Sequence, residues 1–98
     1  MNETIWKFEI TPPVMGNTSK VDLPRGAKVI SVNCIGDQMF IWVKFYVDMK
    51  DQDFVPHYFE IFDTGHEIHN DMGVDRKYIG TCLMYGGGLV WHVFERMD

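Results

Sequence analysis

Residues 39 to 48, Met39-Phe40-Ile41-Trp42-Val43-Lys44-Phe45-Tyr46-Val47-Asp48, are apolar on both alternating sets except at Lys44 and the terminal Asp48. Successive side chains of an extended chain point to opposite faces, so this segment is a strand greasy on both. Such a strand belongs at the centre of a sheet covered on both sides, or at an oligomer interface. Phe40, Trp42 and Tyr46 fall on one set and are the expected oligomer or partner contacts.

Outward from that strand the period stays at two. Trp6, Phe8 and Ile10 alternate with Lys7 and Glu9, which predicts a half-buried strand over 5 to 11 that ends at Pro12 and Pro13, where the backbone loses its donors. Gly16 to Ser19 reads as a polar loop, and Val21 and Leu23 flank Asp22 in a short second run. Pro24-Arg25-Gly26 is a turn, because proline fixes one dihedral and glycine permits a positive one. Val29 to Ile35 is a third strand, broken by Gly36 and Asp37, and His57 to Phe62 is an aromatic one. Residues 49 to 54 read as an acidic turn, and Thr64 to Gly73 as a polar loop. Lys77 to Tyr85 and Leu89 to Glu95 read as two strands joined by a hairpin at Gly86-Gly87-Gly88. No segment repeats apolar residues at spacings of three and four. The expected fold is therefore all-β, a compact antiparallel sandwich or barrel of six to seven short strands forming a single domain over residues 1 to 98.

The composition agrees. At 98 residues, 46% hydrophobic and 23% charged, the chain has the make-up of a small globular domain, with one modest core and little room for a deep enclosed active site. Nine basic residues against 14 acidic ones give a net charge of -5, and the basic ones are scattered. Nucleic-acid binding wants a concentrated positive stripe, so no nucleic-acid partner is expected. The longest apolar run, Met39 to Val43, is far too short for a membrane span, and Met1 to Phe8 lacks the pattern of a signal peptide. The expected location is the cytosol, with no membrane partner. Cys34 and Cys82 lie in expected strands without CxxC spacing, which suits two buried, reduced thiols. A disulfide between them would need an oxidising compartment that no other feature suggests.

The most site-like constellation is Asp63-Thr64-Gly65-His66-Glu67-Ile68-His69, in which His66 and His69 have HxxH spacing near two carboxylates. Imidazoles and carboxylates hold divalent metals, but the spacing is not that of a helical zinc protease, and a solvated glycine turn is the plainer reading. Asp48, Asp51 and Asp53 resemble a calcium loop without its glycine or terminal Glu. Ser31, Cys34 and Cys82 sit in apolar strands with no nucleophile signature around them. The three glycines at 86 to 88 are not followed by a phosphate-loop lysine. His92, between Trp91 and Val93, is read as a core histidine with one hydrogen-bonded nitrogen. No catalytic residue, metal or cofactor is assigned. Three tryptophans, Trp6, Trp42 and Trp91, either fill the core or stay exposed for docking.

Five blocks carry a resemblance: Thr4-Ile5-Trp6-Lys7-Phe8, Leu23 to Val32, Thr64-Gly65-His66, Tyr78-Ile79-Gly80-Thr81, and Gly87 to Glu95. They resemble a family of short proteins of unknown function found chiefly in bacteriophages and prophages, with the pattern IWKF, PxGAxILSV, a tryptophan strand, GTGH, YIGT and GGxLVFHxFE. The chain departs at Asp63, where the family usually has glycine, at Trp91, often Phe, and in a longer loop over 11 to 20. The resemblance implies a small β fold and a phage setting, and transfers no catalytic residue.

Together these readings predict a non-enzymatic phage accessory protein, homo-oligomeric, that acts in the host cytosol, in a counter-defence role for example. It would bind a host protein or a small nucleotide-like ligand, the latter through Thr64, Gly65, His66, Arg76 and Lys77. The alternative is a structural or assembly component of the particle. A metal-dependent hydrolase built on Asp63, His66 and His69 is the third and weakest reading.

Overall fold

The computed structural model describes residues 2–11, 18–47, 53–68 and 73–97. Seven strands run in chain order: β1 (Glu3–Ile10), β2 (Ser19–Pro24), β3 (Lys28–Ile35), β4 (Gln38–Tyr46), β5 (Phe54–Asp63), β6 (Arg76–Met84) and β7 (Leu89–Arg96). They form two antiparallel sheets, a three-stranded one ordered β1-β4-β3 and a four-stranded one ordered β2-β5-β7-β6. Among the described residues there is no α-helix, and no helix long and apolar enough to cross a membrane.

As its composition requires, β4 is the central strand of the smaller sheet. Met39, Ile41, Val43 and Phe45 are buried on one face and meet Leu23, Phe59, Ile61 and Val93 from the larger sheet in a single core cluster. On the other face Phe40 and Trp42 are half-buried and Tyr46 is exposed. β5 starts at Phe54, three residues before the aromatic run, because β2 pairs along it from Pro24 opposite Phe54. Pro56 is tolerated there since pairing with β7 begins only at Tyr58. The glycine turn contains a 3-10 segment, Tyr85–Gly87, with Gly86 and Gly87 at φ of 65° and 99°. Tyr85 shares their left-handed backbone at φ 53°.

The two sheets meet unequally along their edges. β3 and β6 lie close together: a Cβ on Gly80 would stand 3.0 Å from Val32 Cγ1, so the approach requires glycine. Each of the two strands is irregular here, β3 between Val29 and Ser31 and β6 between Tyr78 and Gly80. Two residues further on, Cys34 and Cys82 form a disulfide with Cα atoms 5.7 Å apart. The expectation of two separate reduced thiols is thus corrected. Both cysteines lie on the alternating set that packs with the core, and their strands are facing edges, so one inter-sheet space receives both.

At the opposite seam β1 and β2 diverge. Thr4, Trp6, Phe8 and Ile10 all lie on the alternating set that includes the core residue Ile10, yet exposure climbs from 1% at Ile10 to 60% at Trp6. The sandwich is closed at one seam and wedged open at the other.

Two stability measurements check this description. Gly80→Val is expected to lower the unfolding free energy by about 1–3 kcal/mol through overpacking against Val32, read from the urea midpoint. Replacing both cysteines by alanine should cost about 4 kcal/mol, the loop-closure value for a separation of 48 residues, while far-UV circular dichroism stays that of a β protein.

Candidate functional site

The polar loop after β5 begins with Thr64 and Gly65 in a turn, Gly65 at φ 88°, closed by the His66 backbone N–H donating to the Asp63 carbonyl at 3.0 Å. The turn places the His66 ring 5.8 Å from the Phe62 ring. It also brings Thr64 Oγ1 to 2.7 Å from His92 Nε2. His92 Nδ1 is 3.1 Å from Thr81 Oγ1, which is in turn hydrogen-bonded to the Tyr78 hydroxyl. His92 is therefore no core histidine with one satisfied nitrogen. It pairs with Phe62 and Thr81 in register, one position off the buried Val93, so it points away from the core and both ring nitrogens are bonded.

Arg76 lies further along the same face. Its Nε donates to Glu60 Oε1 at 2.8 Å and its Nη2 to Glu60 Oε2 at 3.3 Å, a two-pronged grip on a carboxylate that is 8% exposed. Arg96 Nε reaches the same Oε1 at 3.5 Å. Lys77, the next residue, points to the other face of β6, opposite Glu95 in register. The structure thus unites Thr64, His66 and Arg76 on one face and separates Lys77 from them. Phe62, Phe94 and Tyr78 fill the middle of that face, with ring centroids 5.9 and 5.3 Å apart in sequence. The Arg76 guanidinium is engaged by Glu60, so an anion would compete with a sequestered carboxylate for it.

Of the proposed metal ligands, Asp63 is exposed, His66 is exposed with its ring tilted against that of Phe62, and His69 lies outside the described residues. Asp48 and Asp51 also lie outside them, and Asp53 pairs with Arg25 at 3.7 Å. Among the described residues no three metal-ligating side chains converge.

Two features escape the sequence reading. One is a pair: His57 Nδ1 donates to Glu95 Oε2 at 2.6 Å, both side chains being largely buried. Its signal is present in the alternation, since Glu95 shares the inward set with Val93 and Trp91. The other is a groove of about 460 Å³ at the open seam, lined by Thr4, Trp6, Phe8, Pro24, Phe45, Val47 and Phe54. Trp6 meets Phe45 edge-on there at 5.7 Å. Trp91 packs against the core, and its indole nitrogen is buried without a hydrogen-bond partner among the described residues.

These elements define an antiparallel β-sandwich of one three-stranded and one four-stranded sheet. The chain belongs to the family described as domain of unknown function DUF7352, whose model matches residues 1–98. No curated protein and no solved structure gives a significant match.

The Arg76–Glu60 pairing has a measurable consequence. Arg76→Ala should destabilise the protein by about 3 kcal/mol, because a sequestered carboxylate loses its main partner. Glu60→Gln in the same background should recover part of that loss in urea unfolding, since the uncompensated charge is what costs.

Proposed function

We propose that this protein is a non-enzymatic accessory protein of phage or prophage origin that works by binding a partner protein through the outward face of the β1-β4-β3 sheet. The observation that carries the reading is the row Phe40, Trp42 and Tyr46 on the second face of β4, with exposed Ile5 and Ile35 on the flanking strands. Charges are interleaved with the row: Lys44, between Trp42 and Tyr46, pairs with Glu3 at 3.8 Å, and the Lys7 ammonium, opposite Trp42 in register, sits 4.5 Å from the centre of the Phe40 ring. Gln38 Nε2 donates to Glu9 Oε1 at 3.2 Å beside it. A cluster of partly exposed aromatic side chains on one sheet face is enriched at protein contact surfaces.

The phage setting is supported by the five sequence blocks, whereas the Cys34–Cys82 disulfide weighs against the reducing host cytosol as the place of action. The nucleotide branch has less support, because Arg76 is engaged by Glu60 and Lys77 faces elsewhere. A role in particle assembly would use the same aromatic face against other copies or other particle proteins.

Crosslinking capture from infected cells tests the proposal. The wild-type chain should retain a defined partner that a folded Trp42→Ala/Tyr46→Ala variant captures at least about tenfold less, given the ordinary weight of aromatic anchors. Equal capture by the variant, or a nucleotide-sized adduct on the gently purified protein in native mass spectrometry, would overturn it.

A further inference from the structure

Each sheet has two edges, and three of the four carry devices that discourage pairing with another chain. β3 is irregular at Val29/Ser31 and β6 at Tyr78/Gly80, and the two are tied by the disulfide. β2 is only six residues long, ends at Pro24, and presents Lys20 and Asp22 on its exposed set. β1 differs. It is eight residues long, free of proline, regular throughout its pairing with β4, and it exposes 52% of Ile5 and 60% of Trp6. An unprotected, apolar edge of that length is a template for another strand.

The sequence of β1 says which strand fits. If a second copy adds its own β1 antiparallel across a two-fold axis normal to the sheet, residues opposite each other must share a face, so only registers that keep the alternation count. Placing Trp6 opposite itself sets Glu3 against Glu9 twice. Placing Lys7 opposite itself stacks two ammonium groups and sets Ile5 against Glu9. Placing Ile5 opposite itself pairs Glu3 with Lys7 twice, Ile5 with Ile5, and Trp6 with the small Thr4. Placing Phe8 opposite itself also opposes unlike charges, Lys7 against Glu9, but sets the bulky Trp6 against the buried Ile10; the Ile5 register alone joins Glu3 to Lys7 and gives Trp6 a small neighbour, and Glu3→Lys tells the two apart.

We infer that the β1 edge is a homodimer interface, in which two copies pair antiparallel about Ile5 and join their three-stranded sheets into one of six strands, β3-β4-β1-β1-β4-β3. Trp6, left exposed by the open seam, is covered by the Thr4 region of the other copy, and the mouths of the two apolar grooves are brought together. The aromatic rows of β4 then lie on one continuous surface. The dimer does not depend on the binding role proposed above, since it uses the strand edge rather than the face of β4.

Charge reversal tests the register. Glu3→Lys alone sets two ammonium groups against each other in both pairs, and Lys7→Glu alone sets two carboxylates against each other. Each variant, folded by circular dichroism, is expected to self-associate at least about tenfold more weakly than wild type in analytical ultracentrifugation, from two pairs switched from attraction to repulsion. An equimolar mixture of the two variants should recover a dimer: in the mixed dimer the ammonium introduced by Glu3→Lys faces the carboxylate introduced by Lys7→Glu, and the unchanged Lys7 of the first chain faces the unchanged Glu3 of the second, so both pairs are opposite in sign. Neither the Glu3–Lys44 pair nor the Lys7–Phe40 contact within one chain can be restored by mixing, so recovery reports on the interface. Ile5→Cys should form a covalent dimer on mild oxidation, residues directly opposite being roughly 4.5–5.5 Å apart between Cα atoms. Ile30→Cys, exposed on β3, should not. A monomeric wild-type chain, single variants that dimerise like wild type, or a mixture that stays monomeric would each overturn the inference. Whether the aromatic face captures a partner is read separately and is unaffected by those outcomes.

Discussion

The architecture turns on the close approach of β3 to β6. Where two sheets pack face to face their edges ordinarily stand apart by the thickness of the side chains between them. Here one residue without a side chain, Gly80, lets the β6 backbone come against the Val32 methyl groups. The Cys34–Cys82 bond fastens the same seam two residues on. Once the sheets are pinned along that line, the other ends of the core-facing strands cannot close equally. The cost falls on β1, whose inward set runs from the buried Ile10 to the exposed Trp6. The groove and the bare edge of β1 belong to the half of the molecule left open.

Much of the fold is legible because it rests on alternation, which a single sequence carries in full. The doubly apolar run 39–48 demands a central strand, and the period of two in Trp6 to Ile10, Val29 to Ile35 and Leu89 to Glu95 locates three of the others. The start of β5 is less legible. Pro56 argues against a strand locally, and only the neighbour β2, which pairs along that stretch while β7 does not, makes it one. Gly80 reads as an ordinary member of a strand, because its meaning lies in a neighbour 48 positions earlier in the chain, Val32.

The site residues divide along the same line. Thr64, His66 and Arg76 do share a face, as their residue types suggest, but adjacency in sequence puts Lys77 on the other side of the strand. Partner identity is what alternation cannot supply. Nothing near Arg76 in the sequence announces Glu60, sixteen residues away, or that His92 spans Thr64 and Thr81. Phe40, Trp42 and Tyr46 are readable as a surplus apolar face because that inference needs only composition and period.

The unequal seams are the central claim, and a nuclear Overhauser spectrum of the isotope-labelled protein tests them most directly. The account predicts cross-peaks between the Val32 methyls and the Gly80 α-protons, and between the β-protons of Cys34 and Cys82. The Trp6 ring should show contacts to Phe45 and none to Val21. Cross-peaks tying Trp6 to Val21, with Gly80 silent toward Val32, would contradict it.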